Sequence, residues 1–137
     1  MSSQRISAIL RQLVRERAAG RCEYCLVRDE DVLISHQPDH IIAEQHGGES
    51  TAENLALACV HCNRRKGPNI ASLDLTTGQL TPLFNPRTQN WADHFSLDGA
   101  YILPQTAVGR VTVRLLNLNH PDRIRVRQAL IKAGTYP

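Results

Sequence analysis

The chain has 137 residues, 42% of them hydrophobic and 21% charged, with four cysteines and a single Trp, which is the size of one compact domain. No run of about 18 apolar residues exists, so a membrane-spanning helix is excluded, and arginines interrupt the first twenty residues where a signal peptide needs an apolar stretch. The net charge of +3 divides into +4 over 1–28, −7 over 29–58, +3 over 59–69, −2 over 70–100 and +5 over 101–137, which excludes a uniformly charged chain.

In chain order, Ile6, Ile9, Leu10, Leu13 and Val14 recur at helical spacing within 4–19, with Ser2 or Ser3 as cap and Gly20 as stop. Val32 to Ile34 follows as a short extended run. Residues 39–59 read as a two-stranded hairpin with a long polar loop reversed at Gly47-Gly48, its return strand being the alternating Asn54-Leu-Ala-Leu-Ala-Cys59. Cys62 to Lys66 is a short helix stopped by Gly67-Pro68. Thr76-Thr-Gly78 marks a turn before a strand at Leu80 to Phe84, cut by Pro82, and Asp98-Gly99 centres a hairpin over 95–103. Thr106 to Leu118 presents Val108, Val111, Leu115 and Leu118 on one helical face. His120-Pro121 opens a last helix that Gly134 ends.

The pattern predicts an α+β fold in one domain over 1–137: an N-terminal helix (1–20), a central core (21–70) and a mixed hairpin and helical extension (71–137). With only 4% aromatic residues the core is thin, and a structural metal would supplement it. Cys22-Glu-Tyr-Cys25 and Cys59-Val-His-Cys62 form two knuckles whose four thiolates suit a tetrahedral, structural Zn²⁺ with no open position. In the reducing compartment expected of a cytoplasmic chain, metal is favoured over disulfide. The 33 residues between the pairs exceed the usual ribbon spacing of about 15 to 20, and the hairpin accounts for the excess. His61, inside a knuckle, reads as exposed.

A segment tied at its root by zinc is where chemistry is expected. Asp39-His40-Ile-Ile, Gly47-Gly48, Asn54-Leu-Ala-Leu-Ala-Cys59-x-x-Cys62-Asn63-x-x-Lys66-Gly67 resembles the HNH endonuclease motif of the ββα-metal nucleases, and the bracketing cysteines resemble the four-cysteine bacterial and McrA-like members. The resemblance spans 22–67 and implies a ββα-metal core and metal-dependent hydrolysis of DNA phosphodiesters that leaves a 5′-phosphate and a 3′-hydroxyl. Such chemistry needs a base for the attacking water and positive charge against the developing phosphorane. His40, with an unperturbed pKa near neutrality, suits the base.

By resemblance, Asp39 and Asn63 bind one divalent cation, Mg²⁺ or Mn²⁺ with Ni²⁺ possible, which phosphate and water oxygens complete. Asn63 stands where many members have His, implying weaker metal retention. Asn54 is implied to brace the hairpin loop and hold His40, donating and accepting through its amide. Arg64, Arg65 and Lys66 are the expected phosphate contacts, beside a helix N-terminus that already favours anions. His36 reads first as a hydrogen-bonded structural histidine and second as a ligand; His46 is a candidate third ligand or phosphate contact. Arg87 and His94 sit in a block that reads first as packing and second as DNA-binding, and the arginines at 110, 114, 123, 125 and 127 could extend a DNA footprint, although their spacing shows no common face. The expected partner is double-stranded DNA, with weak sequence preference, no membrane, a monomer or homodimer, and a specificity partner if one is needed. The rival readings are a non-catalytic zinc-knuckle module that binds nucleic acid or protein, and an RNA-directed nuclease.

Overall fold

The computed structural model describes residues 6–137. Helix α1 runs Ala8–Arg17, and its cap is Ser7, whose hydroxyl accepts from the Leu10 amide at 3.1 Å; Ser2, Ser3 and Arg5 lie outside the described residues. A Ser hydroxyl takes up an amide that the first helical turn leaves unbonded, which fixes the start of the helix. Only part of the apolar set faces inward. Val14 is fully buried and Leu10 packs beside it, whereas Ile9 and Leu13 face solvent. The arginines of α1 bind protein groups: Arg15 pairs with Asp29 at 2.7 Å, and Arg17 donates to the Ala52 and Leu55 carbonyls.

Strand β1 (Gln37–His40) pairs antiparallel with β2 (Leu55–Ala58), Asp39 opposite Ala56 and His40 opposite Leu55. All four residues of β2 are buried, because the strand is covered on both faces. Leu55 and Leu57 meet Val14 of α1, while Ala56 and Ala58 join the main core with the cysteines. The knuckle residue Glu23 exchanges bonds with Leu57, its amide donating to the Leu57 carbonyl and its carboxylate accepting from the Leu57 amide, both at 2.8 Å. Helix α2 (Val60–Lys66) follows at once, capped by Cys59. The hairpin and α2 form the expected ββα unit. Val32 to Ile34 is not a strand: it follows a 3-10 turn at Asp29–Asp31, has no pairing partner, and leaves Leu33 and Ile34 exposed.

In the extension, β3 (Ala71–Leu73) and β4 (Leu80–Pro82) form a hairpin, α3 (Trp91–His94) leads into the hairpin β5 (Phe95–Asp98) and β6 (Tyr101–Pro104), and α4 (Ala107–Leu115) and α5 (Pro121–Lys132) close the chain. Asp74 organises the first turn, accepting from the Thr76 amide and the Thr77 hydroxyl and receiving both arms of Arg110 from α4. The few aromatic rings are concentrated where the extension meets the first knuckle. Phe84 lies 6.4 Å from Tyr24 and 5.3 Å from Phe95, and the Trp91 ring nitrogen donates to the Tyr24 carbonyl at 2.9 Å. Edge contacts of this kind add to burial, so the block 83–95 is a packing element, with Arg87 paired to Glu23.

Candidate nuclease site and zinc site

The four cysteine sulfurs lie within 4.8 Å of one another and all four residues are buried. Cys25 Sγ is 3.7 Å from Cys59 Sγ, close to the edge of about 3.8 Å that follows from Zn–S bonds of about 2.3 Å in tetrahedral geometry. The amides of Cys25 and Cys62 turn onto the sulfurs of Cys22 and Cys59 at 3.5 and 3.4 Å, the bonds that shape each knuckle. The thiols are thus positioned to form a zinc site with no open coordination place. His61 is exposed, and partial desolvation of its ring, seconded by the nearby charge of Arg123, lowers its pKa.

Beyond the knuckles, β1 presents Asp39 and His40. The half-buried His40 places Nε2 2.8 Å from the Ser50 hydroxyl, which leaves Nδ1 as the ring nitrogen available to a water. Ser50 was not anticipated from sequence. It belongs to the loop between β1 and β2, whose shape depends on Asn54: Oδ1 accepts from the Ile42 amide and Nδ2 donates to the Ile42 and Glu49 carbonyls, each at 2.9 Å. Gly48 permits this closure, since a Cβ there would sit 1.7 Å from the Ile42 carbonyl oxygen. The bracing geometry expected of Asn54 is present, and it reaches His40 through the loop that carries Ser50.

Asp39 is 7% exposed and faces α2. Its Oδ2 lies 3.1 Å from the Lys66 ammonium, which also donates to the His40 carbonyl at 2.9 Å. Burial pushes the Asp39 carboxyl above its ordinary pKa, and Lys66 opposes that rise. Asn63 stands one turn before Lys66 on the same face of α2, and its side-chain amide makes no hydrogen bond among the described residues. As oxygen donors, the Asp39 carboxylate and the Asn63 amide fit a hard cation that draws its remaining ligands from phosphate and water.

Two expectations change and a third reading stands. Lys66 is 1% exposed with its ammonium held by Asp39, so it is withdrawn from any surface phosphate, while Arg64 and Arg65 remain exposed. His36 is fully buried away from this site, bonded through Nε2 to the Val27 carbonyl at 2.8 Å and through its amide to Asp29; its structural reading holds over ligation. The late arginines do not form a free basic face: Arg110 binds Asp74, Arg114 binds the Leu73 carbonyl, Arg125 binds Asp122, Arg127 is buried on the Ala100 carbonyl, and Arg123 binds sulfur. His46 is exposed on a 3-10 turn. His40 lines neither the groove of about 550 Å³ beside the cysteines nor the one of about 280 Å³ beside Lys66.

Residues 22–69 match the family model described as HNH endonuclease. That segment begins at Cys22 and ends just beyond α2, so the match covers the ββα unit and both knuckles, whose four cysteines are positioned to form a zinc site. No curated protein and no solved structure matches the chain. No helix among the described residues is long and apolar enough to cross a membrane.

Proposed function

We propose that the protein is a metal-dependent endonuclease that hydrolyses DNA phosphodiester bonds, its core stapled by a structural zinc. The observation that carries this reading is His40: an imidazole on the first strand of the segment that matches the HNH model, one nitrogen committed to Ser50 and the other left for a water. Nδ1 takes the proton as the water oxygen bonds to phosphorus; the bond from phosphorus to the 3′ oxygen breaks, and that oxygen takes a proton from solvent. The products are a 5′-phosphate and a 3′-hydroxyl. Asp39 and Asn63 would hold one Mg²⁺ or Mn²⁺, which when bound supplies charge against the phosphorane and the leaving oxygen. Arg64 and Arg65 meet the backbone phosphates. One site cuts one strand, so a monomer nicks and a double-strand break takes two sites.

A non-catalytic binding module is the second reading, favoured by one observation: Lys66 already occupies the flank of Asp39. Nicking of supercoiled plasmid by wild type and H40A, across Mg²⁺, Mn²⁺, Ni²⁺ and chelator, separates the two. Metal-dependent nicking by wild type alone, with DNA affinity and folding retained in H40A, is expected. Folded, DNA-binding wild-type protein that never nicks would overturn the nuclease reading.

A further inference from the structure

The geometry points to Arg123 as an outer-sphere partner of the thiolate site, the residue that retains the zinc and ties α5 to it. The inference rests on the zinc reading above. Arg123 reaches from the first turns of α5 to place Nη2 2.9 Å from Cys62 Sγ and 3.8 Å from Cys59 Sγ. Its other nitrogen, Nη1, donates to the carbonyls of Leu116 at 2.7 Å and Asn117 at 3.3 Å, where α4 ends. One planar fork therefore spans a helix terminus and two sulfurs, a geometry that a lysine ammonium does not reproduce.

Charge explains why such a group is needed. Four thiolates around Zn²⁺ carry a net charge of −2 in a buried place, and burying charge without a partner is costly. Among the described residues Arg123 is the only side chain besides the cysteines themselves that bonds these sulfurs; the other donors are the amides of Cys25 and Cys62. A guanidinium there removes half of the excess charge. Its N–H donors also draw electron density from sulfur, making the thiolates poorer targets for protons and electrophiles. Partners of metal ligands typically account for 10- to 100-fold in metal affinity.

R123Q and R123K are compared with wild type and with R125A, which removes an exposed arginine on the same helix. Zinc per chain is measured in the purified proteins, then the rate of zinc transfer to a chromogenic chelator, then the thiolate-to-cobalt charge-transfer bands after Co²⁺ substitution. Release about 10- to 100-fold faster in R123Q, intermediate in R123K and unchanged in R125A is expected, with the R123Q bands moved to lower energy. A purely architectural role would lower unfolding stability and leave the bands in place, which overturns the inference, as does wild-type release from R123Q. If R123Q does not fold, R123K carries the test, and wild-type release and bands in it overturn the inference. Wild-type protein with no stoichiometric zinc overturns the zinc reading itself, a result distinct from one zinc with unaltered release.

Discussion

The ammonium of Lys66 lies 3.1 Å from Oδ2 of Asp39, and both side chains are almost wholly withdrawn from solvent. Removing one partner of a buried pair leaves the other charge uncompensated, at a cost of about 3–5 kcal/mol. Burial already holds the Asp39 carboxyl above its ordinary value against the pull of Lys66, so K66M drives it further up. The sign follows: a carboxyl raised in the folded state penalises folding above its folded pKa, and the penalty fades as the pH falls and the group takes up a proton. Urea unfolding of K66M is therefore expected to show a loss of about 3–5 kcal/mol at neutral pH that shrinks toward about pH 4. K66M/D39N should recover much of it; equal losses in the single and double variants would refute the coupling.

Why Lys66 looked like a phosphate contact is instructive. Arg64-Arg65-Lys66 is a basic run, and a run hides helical phase: Lys66 stands four residues after the buried Cys62 and shares its face, while its two neighbours turn outward. That signal was present in the spacing. The cysteine cluster, the hairpin and the clamp of Asn54 were legible because residue type and offset together encode them. Ser50 was not, since a serine in a polar loop has no periodicity and its meeting with His40 depends on how the loop closes. Arg123 was not either, as 61 residues separate it from Cys62 and only tertiary packing joins them. Val32 to Ile34 misled because an apolar run implies a strand only where a partner strand exists.

The two loop glycines should respond differently to alanine. At Gly47 φ is +92° and a Cβ meets nothing within 4 Å, so G47A costs only the left-handed strain of about 1–2 kcal/mol, and nicking persists. At Gly48 a Cβ would overlap the Ile42 carbonyl and approach Asn54 Nδ2 at 2.8 Å, which breaks the clamp. G48A is expected to lose about 1–3 kcal/mol and most of its nicking, because Ser50 shifts from His40. Thermal melts with parallel plasmid assays compare the pair, and nicking equal in both variants would refute the link.

Asp74 and Arg110 govern part of the acid stability. Hydrogen bonds from Arg110 above all, and then from Thr77 and Thr76, hold the Asp74 carboxyl well below the usual carboxylate range. A carboxyl lowered in the folded state contributes stability that is complete above its unfolded pKa, about 4, and drains away as the pH falls toward the folded value. Denaturant midpoints of wild type should thus decline below about pH 4 more steeply than those of D74N, which starts lower at neutral pH. Parallel acid profiles would remove Asp74 from the account.

Ser50 offers the sharpest test of the His40 geometry, because its loss leaves the imidazole in place while freeing its orientation. With Nε2 bonded to the hydroxyl, the ring is held so that Nδ1 faces the water; without that bond both rotation and tautomer are free. A partner that orients a reacting imidazole contributes about 10- to 100-fold, by analogy with the groups that orient metal-bound histidines, whereas loss of a general base costs about 10²- to 10⁴-fold. S50A is therefore expected to nick about 10- to 100-fold more slowly than wild type and faster than H40A, with DNA affinity unchanged. Its pH–rate profile should shift on the limb set by the base, and S50T, which retains a hydroxyl, should restore part of the rate. A slower S50A whose profile keeps the wild-type limb would assign Ser50 to the loop alone, and an S50A as slow as H40A would mean that the imidazole acts only when Ser50 holds it.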